Sequence, residues 1–592
     1  GTDPWLYPSS NFAEEVFVSA PITENNLQIT GGSENTSYLA SLSHLSQELN
    51  FKNAPDGFNK LDLRLNLDTK INDNLKMDVG LYTRNENLNK MARPYGDTFF
   101  QTYSLRPTNV AYWPSGEPGP GDRGWNPVVN VTDQNGFDET KTNIIQSNIG
   151  LTFDVPGIEG LSLRGLVSYD KMNVDRKKFV TPYILYSWDG INRDSSGLTP
   201  IENGLDSPEL TQDNISLLDI SATFNLTYEK DFGDHYFKFL GGITREEGVQ
   251  DFTRVIKSGF LSKDLPHLSF GTDVKSTIGT GFETARLNYF GRLNYNLKDK
   301  YLLELVFRYD GSYLFPEQGR YGFFPGVSAG WVISDESFWN SNFLSFFKMR
   351  ASIGQLGSDS VNPFQFLSSY GFSQTALTDV YTTAYETKVP NPNITWETQT
   401  SRNIGFDLLA MDSNLSLSLD IFKNTREDIL TLPNVTLPSY TGITPPNQNI
   451  GEFENTGYEL NLGYNGETSK GLSYNFSFNL SDSNSKIVFL DEPELADRPW
   501  QRETGGDVSR LLLYKSDGIF RSQAEVDANT LDYSDLTTEL KPGDVRVTDI
   551  NGDGKITSAD RTRIGGSPFF DTQFGFNTSL KYKNFDFNMY WN

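Results

Sequence analysis

Short stretches in which apolar and polar residues alternate recur along this chain more than any other pattern. In LDLRLNLD (61–68) every second residue is leucine, and LSLSLDIF (415–422) and YNFSFNLS (474–481) repeat the arrangement. Successive side chains of a β-strand point to opposite faces, so each stretch predicts a strand with one apolar and one polar face. Helical periodicity is nearly absent, and SQAEVDANTLD (522–532) is the one fair candidate. The pattern predicts an all-β chain of roughly eighteen to twenty strands, many of them about ten residues long.

The connections between these strands alternate between short and long. Short polar turns occur at 69–74, 232–235, 297–300, 411–414 and 581–584. Long segments rich in Pro, Gly, Asn, Asp and Trp span approximately 86–142, 172–214, 250–282, 356–398, 425–452 and 482–570. Outer-membrane barrels have tight turns on the periplasmic side and long loops outside, and their strands need about 9–11 residues. The fold class predicted is therefore a large antiparallel transmembrane β-barrel with long extracellular loops.

Composition excludes several other classes of protein. The 592 residues include no cysteine, which rules out disulfides, thiol catalysis and thiolate metal sites. The net charge of −26 argues against nucleic acid as a partner, because such binders need a basic surface. Phe, Tyr and Trp make up 13% of the chain and cluster near strand ends, as in interfacial girdles, which favours outer-membrane lipid as the surroundings. The opening GTDPWLYPSS lacks the features of a signal peptide, so we expect a mature or trimmed chain.

The segment DINGDGKITSAD (549–560) has the spacing of an EF-hand calcium loop without flanking helices. Asp549, Asn551 and Asp553 provide side-chain oxygens at alternate positions, and a glycine follows at the sixth. Lys555 would contribute its carbonyl, and Asp560 would close the site where an EF-hand has glutamate. The alternative is an Asn/Gly-rich turn without an ion. The spacing predicts a structural Ca²⁺ that orders a long extracellular loop.

Aromatic residues in the long polar segments are candidates for substrate contact. Flat aromatic faces stack on sugar rings while Asn and Asp bind hydroxyl groups, which makes a glycan site physically reasonable. The alternative for each residue is packing within a loop core or against a lid. The aromatics considered are Tyr95, Tyr183 and Tyr186 together with the five chosen as substrate candidates, Tyr112, Trp113, Trp125, Trp188 and Trp396.

Catalysis is not predicted from these residues. GVSAG (326–330) matches the G-x-S-x-G pattern, but it lies within an alternating strand, whereas the nucleophile elbow needs a strand-to-helix turn and a histidine partner. The chain has three histidines and 76 acidic residues, so chance carboxylate pairs are expected. We therefore expect no enzyme activity.

Longer stretches follow one another in a recognisable order. YFGRLNYNLKDKYLLELVFRYDGS (289–312) and GRYGFFPGVSAGWVISDESF (319–338) are followed by NPNITWETQTSRNIGFD (391–407) and PGDVRVTDINGDGKITSADRTRIG (542–565). These stretches resemble the SusC/RagA family, the TonB-dependent outer-membrane transporters of Bacteroidetes. One departure is Ser-Tyr-Leu-Phe at 312–315, where the family usually has Ser-Arg-Phe.

The resemblance implies a domain organisation. Residues 1–592 would be the TonB-dependent receptor β-barrel domain of a longer parent with about 22 strands. Residues 11–48 resemble the segment that follows the family's plug. We therefore expect a barrel that is incomplete at both ends, without the plug, the TonB box and the last strands.

The resemblance also implies a function and partners. The expected activity is TonB-dependent uptake of oligosaccharides together with a SusD-like surface lipoprotein. Peptide import of the RagA type is an alternative cargo, and a siderophore or cobalamin receptor shares the barrel. An alternative of another class is a secreted, calcium-stabilised glycan-binding or hydrolytic β protein, which would be soluble without detergent.

Overall fold

The computed structural model describes residues 3–54, 57–376, 380–433, 445–565 and 570–592. Contacts within the chain divide it into two compact units. The first unit comprises 1–226 and 244–286, and the second comprises 227–243 and 287–592.

The first unit contains three short helices and the first strands of the chain. The helices are α1 (Phe12–Val16), α2 (Tyr95–Ser104) and α3 (Pro127–Asn130). The strands are β1 (Ile22–Gly32), β2 (Thr36–Gln47), β3 (Gly57–Asn72), β4 (Leu75–Met91), β5 (Gly136–Asp154), β6 (Leu161–Val180), β7 (Tyr183–Trp188) and β8 (Leu198–Asn203). Three longer strands contribute residues to both units: β9 (Glu209–Phe232), β10 (His235–Phe260) and β11 (Gly271–Leu297).

The second unit contains the remaining strands and one helix. The strands are β12 (Tyr301–Ser312), β13 (Tyr321–Val332), β14 (Leu344–Ser358), β15 (Ser369–Ala376), β16 (Val380–Lys388), β17 (Glu397–Ala410), β18 (Leu415–Thr431), β19 (Gln448–Glu467), β20 (Leu472–Phe489), β21 (Leu511–Tyr514), β22 (Ser516–Ile519), β23 (Val545–Val547), β24 (Arg561–Ile564), β25 (Thr572–Tyr582) and β26 (Phe585–Trp591). Helix α4 (Gln523–Asp527) lies between β22 and β23 and is N-capped by Ser522, within the one segment predicted to be helical.

Eighteen strands of the described chain form one antiparallel sheet. In the first unit β1 to β6 pair in chain order. In the second unit the order is β12-β13-β14-β17-β18-β19-β20-β25-β26. The remaining strands form separate hairpins or ribbons, which pair β7 with β8, β15 with β16, β21 with β24 and β22 with β23. The antiparallel sheet predicted from the alternation is confirmed.

The predicted strand lengths were wrong for the longest strands. Strands β9, β10 and β11 have 24, 26 and 27 residues, against the roughly ten that a membrane strand needs. Pairing extends further because each backbone donor and acceptor is satisfied by the neighbouring strand wherever that strand continues. The predicted tight turns are confirmed, as at Lys298 and Asp299, where φ is 56° and 55°.

The two faces of the sheet have the opposite pattern to a soluble protein. In the first unit Leu61 and Leu65 of β3 are exposed, whereas Asp62 accepts hydrogen bonds from Tyr82 (2.9 Å) and Arg84 (2.7 Å) of β4. A soluble sheet would bury its leucines and expose its ion pairs. The apolar face therefore needs an apolar environment.

The same inversion occurs in the second unit. Leu303 and Leu305 of β12 are exposed. On the polar face the Arg350 guanidinium binds Asp420 at 2.6 Å and Asp407 at 3.1 Å. Charges taken from water are stable only when they are paired, which explains why these strands alternate leucine with ion-pairing residues.

Within the described residues, every helix is too short or too polar to cross a membrane.

The long connections have hydrophobic cores of their own. In the first unit a cluster includes Phe12, Val128, Val129 and Leu185, all nearly inaccessible to solvent. In the second unit the segment between β20 and β25 buries Phe520, Tyr533, Val547 and Ile556. These loops are therefore ordered structures, able to hold side chains in fixed positions.

Candidate functional site

A cleft of about 440 Å³ lies among the loops of the first unit. Its walls come from helix α2, from the segment before α3, and from the β7–β8 hairpin. We call it the loop cleft; its lining residues are Arg93, Asp97, Phe100, Gln101, Arg123, Gly124, Trp125, Asn130, Tyr183, Asn203, Gly204 and Leu205. The volume lies within the range of small-molecule binding sites.

Asn126 organises one wall of the loop cleft. Its side chain is fully buried, and its Nδ2 donates to the carbonyls of Ala111 (2.9 Å) and Gly119 (2.9 Å), with a longer contact to Val110 (3.3 Å). Its Oδ1 accepts from the Val128 N–H at 3.2 Å and caps α3. The Asn126 side chain thus links the carbonyls of Ala111 and Gly119 to the first turn of α3. These bonds hold the backbone next to Trp125 in place.

Trp125 and Arg123 lie on a tight hairpin turn. Asp122 and Trp125 exchange backbone hydrogen bonds of 3.2 and 2.9 Å, and the two residues between them have φ of 51° (Arg123) and 80° (Gly124). Positive φ at both central residues is the requirement of a type I′ turn. The Trp125 ring is 56% exposed, although Asn126 beside it is buried. The turn therefore places Trp125 and Arg123 in the lining of the loop cleft.

The β7–β8 hairpin provides the opposite wall. Its register pairs Tyr183 with Asn203. The Tyr183 hydroxyl donates to the Gly124 carbonyl at 2.8 Å, which ties this wall to the hairpin turn. The Arg93 guanidinium lies 5.8 Å from the centre of the Tyr183 ring. Burial raises the pKa of Tyr183 above its ordinary value, and the Arg93 cation opposes that rise.

Amide groups complete the lining. Asn130, at the end of α3, donates through Nδ2 to Oε1 of Gln101 on α2 at 2.7 Å. Side-chain amides carry both donors and acceptors, so they match the hydroxyl groups of a sugar or the peptide groups of an extended chain. The loop cleft combines aromatic faces, amides and charge, the usual makeup of a polar ligand site.

Two of the predicted substrate aromatics lie in a loop core of the first unit. Trp113 is 7% exposed; its ring stacks on Trp5 at 5.2 Å and its N–H donates to the Tyr186 carbonyl at 2.8 Å. Trp188 packs against both rings and donates to the carbonyl of Asn192 at 2.6 Å. These two residues follow the packing alternative because each indole N–H finds its acceptor inside the loop.

Trp396 lies in the second unit and is also buried. It packs against Phe315 and Phe324 and donates its N–H to the Arg320 carbonyl at 3.1 Å. Tyr112 is partly exposed, and its backbone forms an isolated antiparallel β-bridge with Pro118. Burial and the Glu15 carboxylate raise the pKa of the Tyr112 hydroxyl. Of the five predicted aromatics, Trp125 lines the loop cleft.

The predicted calcium loop is a compact turn held by its own side chains. Asp549 accepts from the N–H groups of Gly552 (2.7 Å) and Gly554 (2.9 Å), and Asn551 and Asp553 each accept from the N–H two residues further on. Gly554 has φ of 80°, the left-handed conformation that the sixth position of such a loop requires.

Asp560 is fully buried and its carboxylate accepts three backbone N–H groups, those of Ile550, Asn551 and Thr557, at 2.8 to 3.4 Å. The backbones of Lys555 and Asp532 form an isolated parallel β-bridge. Across the described ranges, no three His, Asp or Glu residues converge as a metal site would need. Asp560 therefore stabilises this loop by accepting hydrogen bonds from its backbone, and Ca²⁺ binding at 549–560 stays a prediction.

The same loop region contains a carboxylate with a shifted pKa. Burial of Glu492 would raise the pKa of its carboxyl, but hydrogen bonds from the Thr504 hydroxyl and from the N–H groups of Glu503 (2.8 Å) and Thr504 (2.6 Å) lower it below the ordinary value. The ionised form of Glu492 thus holds the segment from 492 to 504 together.

The G-x-S-x-G match is a strand, as predicted. Ser328 lies in the interior of β13, where it pairs with Glu304 on one side and Ser352 on the other. The strand-to-helix turn of a nucleophile elbow is thus replaced by a sheet ladder on both sides.

Sequence reasoning missed the charged residues of the loop cleft, Arg93 and Arg123. The available signal was GDRGW (121–125), where an arginine occupies a turn position that usually holds Asn, Asp or Gly. Arg93 left no comparable signal, because its position depends on a tyrosine ninety residues further along the chain.

Comparison with known proteins gives several similar chains. A TonB-dependent receptor, P26, of Formosa agariphila is 29% identical over 99% of this chain and 58% of its own length. The TonB-dependent receptor SusC of Bacteroides thetaiotaomicron is 24% identical over 98% of this chain and 58% of its own. The chain thus spans a little over half the length of these curated relatives.

Among solved structures, that of the RagAB peptide transporter has a TM-score of 0.76 at 19% identity, covering 98% of this chain and 62% of that one. This agreement supports the β-barrel fold. The family model described as TonB dependent receptor-like, beta-barrel, matches residues 82–592. The chain belongs to this family of outer-membrane TonB-dependent receptors, and its fold is a β-barrel.

Proposed function

We propose that the chain is the greater part of the barrel of a SusC-like importer that takes up oligosaccharides through the outer membrane. The observation that carries the proposal is the loop cleft, where the exposed Trp125 face adjoins the amides of Gln101, Asn130 and Asn203. Aromatic faces beside amide groups suit sugar rings and their hydroxyls. The similarity to the TonB-dependent receptor SusC supports the SusC-like part of this assignment.

The proposal includes the parts of the importer that this chain does not supply. We propose that the complete importer also has a plug and further strands, since this chain spans 58% of the length of each of these relatives. A SusD-like lipoprotein would cover the loops, and TonB would open the plug. The polar strand face, with ion pairs such as Arg350 with Asp420, would line the path of the cargo. We propose no catalytic step.

Native mass spectrometry tests the cargo and the partner together. The full-length protein is extracted from native outer membranes in mild detergent, and the co-purifying chains and bound small molecules are identified. A lipoprotein partner and ligand masses spaced by pentose or hexose units would support the proposal. A series of peptide masses would support import of the RagA type instead, and a chain that needs no detergent would contradict membrane insertion.

A further inference from the structure

We infer that the loop cleft binds an anionic group of its oligosaccharide, a uronate carboxylate or a sulfate ester, through Arg93 and Arg123. The inference rests on the proposed function and narrows its substrate class to acidic glycans. The two sources of negative charge share the same chemistry, an oxyanion that accepts hydrogen bonds from a guanidinium.

The first argument is a local excess of positive charge in an acidic chain. The protein has a net charge of −26, yet the loop cleft contains two arginines and one carboxylate, Asp97. Elsewhere in the first unit, arginines of the sheet are neutralised, as where Arg176 binds both oxygens of Asp138 at 2.8 Å. Among the described residues, neither Arg93 nor Arg123 forms an ion pair. An anion from outside would supply the missing partner.

Arg93 is held in place with an unused donor. Its guanidinium lies against the Tyr183 ring, and its Nε is buried without a hydrogen-bond partner in the described part of the chain. Gly204 faces both side chains so closely that a methyl group there would lie 3.1 Å from the tyrosine ring and 3.2 Å from Nη2 of Arg93. A buried N–H without an acceptor is costly, and the chain accepts that cost at an arginine in the lining of the loop cleft.

Arg123 occupies a conformation that its side chain does not favour. At the first central position of a type I′ turn, with φ of 51°, a residue with a Cβ costs about 1 kcal/mol more than glycine, and Asn or Asp would be the usual choices. The turn would form more readily with those residues. The arginine at the tip of this turn lies in the lining of the loop cleft, where its charge is available to a ligand.

The remaining lining selects a sugar as the carrier of the charge. Trp125 and Phe100 are exposed by 56% and 69%, so flat apolar faces lie beside the two cations. The apolar face of a sugar ring can stack on such a surface while its carboxylate or sulfate meets a guanidinium. A neutral glycan would use the aromatics and amides but would leave both arginines unpaired.

The experiment uses the full-length protein in detergent and isothermal titration calorimetry. The probes are tetragalacturonate, a carrageenan-derived sulfated tetrasaccharide, neutral maltotetraose and tetraglutamate. The variants are Arg93→Gln, Arg123→Gln and Arg123→Lys, with Arg106→Gln as the matched control. Arg106 is exposed, lies in the same loop outside the loop cleft, and likewise lacks an ion pair within the described residues, so its replacement removes the same charge. Heat-modified mobility on a gel confirms that each barrel is folded.

We expect one of the anionic tetrasaccharides to bind at least about tenfold more tightly than maltotetraose, and to weaken as salt rises from about 0.05 to 0.5 M. Arg93→Gln and Arg123→Gln should each weaken that binding about tenfold to a hundredfold, Arg123→Lys by less, and Arg106→Gln hardly at all. The tetrasaccharide that responds identifies the anionic group.

Three results would overturn the inference. If maltotetraose binds as tightly and the arginine variants leave it unchanged, the cargo is a neutral glycan and the proposed function survives alone. If the anionic tetrasaccharides bind but Arg106→Gln weakens them as much as the cleft variants, the effect is general charge and not this site. If only tetraglutamate binds, and it depends on the arginines, both the inference and oligosaccharide import are wrong.

Discussion

Replacing Asn126 by its isosteric acid tests whether one buried amide holds the wall of the loop cleft. Asn126→Asp keeps the oxygen that caps the Val128 N–H but removes both Nδ2 donors. The Ala111 carbonyl keeps a second donor, the N–H of Gly119, whereas the Gly119 carbonyl loses its side-chain partner. One lost hydrogen bond of about 1 kcal/mol and one buried orphan acceptor of about 2 kcal/mol give a minimum cost of about 3 kcal/mol, to which the new carboxylate oxygen facing carbonyl oxygens adds.

This cost should appear as local opening, because the loop has a core separate from the sheet. About 3 kcal/mol corresponds to roughly a hundredfold loss of amide protection in the segment before α3. Hydrogen exchange measured by mass spectrometry follows residues 106–126, with peptides of β4 and β5 as internal references that should not change. Gln134→Ala is the matched control, since the exposed Gln134 side chain has no partner among the described residues. A change in protection below about threefold would refute the reasoning.

Three further predictions concern other loops and the aromatic residues. Trp125→Ala should weaken oligosaccharide binding, measured by calorimetry, about tenfold or more without changing thermal stability. Trp113→Ala should instead destabilise the loop by about 3–5 kcal/mol, because the Trp113 ring is buried. Equal effects of the two substitutions on stability would contradict this assignment. The lowered pKa of Glu492 means that its stabilisation is present above the ordinary carboxyl pKa of about 4.3 and is lost as the pH falls through the lower value of the folded loop. Hydrogen exchange in 492–504 should therefore rise on acidification in the wild type, after correction for the intrinsic rate, and a Glu492→Gln variant should show no such step; an identical pH profile in both would count against it. Terbium luminescence should report a cation at 549–560 that Ca²⁺ displaces and that Asp553→Ala abolishes, and a parent protein without a terbium signal would end the calcium prediction.

The sheet was predictable from the sequence because its signal is local. Alternation in 61–68 specifies which side of β3 meets an apolar environment, and Asp62 and Arg84 face each other because the turn of 73–74 sets the register. The tight turns were equally local. The strand ends were not, since nothing in the chain marks where pairing stops once the neighbouring strand continues.

The loop cleft was only partly predictable, because it is assembled from distant segments. Trp125 was identified by its residue type, but the burial of Trp113 depends on Trp5 and Trp188, which precede and follow it and are each more than seventy residues away. The Arg93 guanidinium lies over the Tyr183 ring only because two segments far apart in the sequence fold next to each other. Aromatic rings in loops bind ligands or fill cores, and the choice depends on whether another ring reaches them.

The separation between loop core and loop cleft has an evolutionary consequence. The hydrophobic core of these loops is formed by residues such as Val128, Val129 and Leu185. By contrast, the outer surface of the loops carries Arg123 and Trp125. If the loop cleft binds the cargo as proposed, substitutions at the two outer positions would change what is recognised at little expense to folding, and new cargo preferences would need no compensating mutations in the barrel. A lineage that meets a new carbohydrate would then adapt through a few codons in one turn.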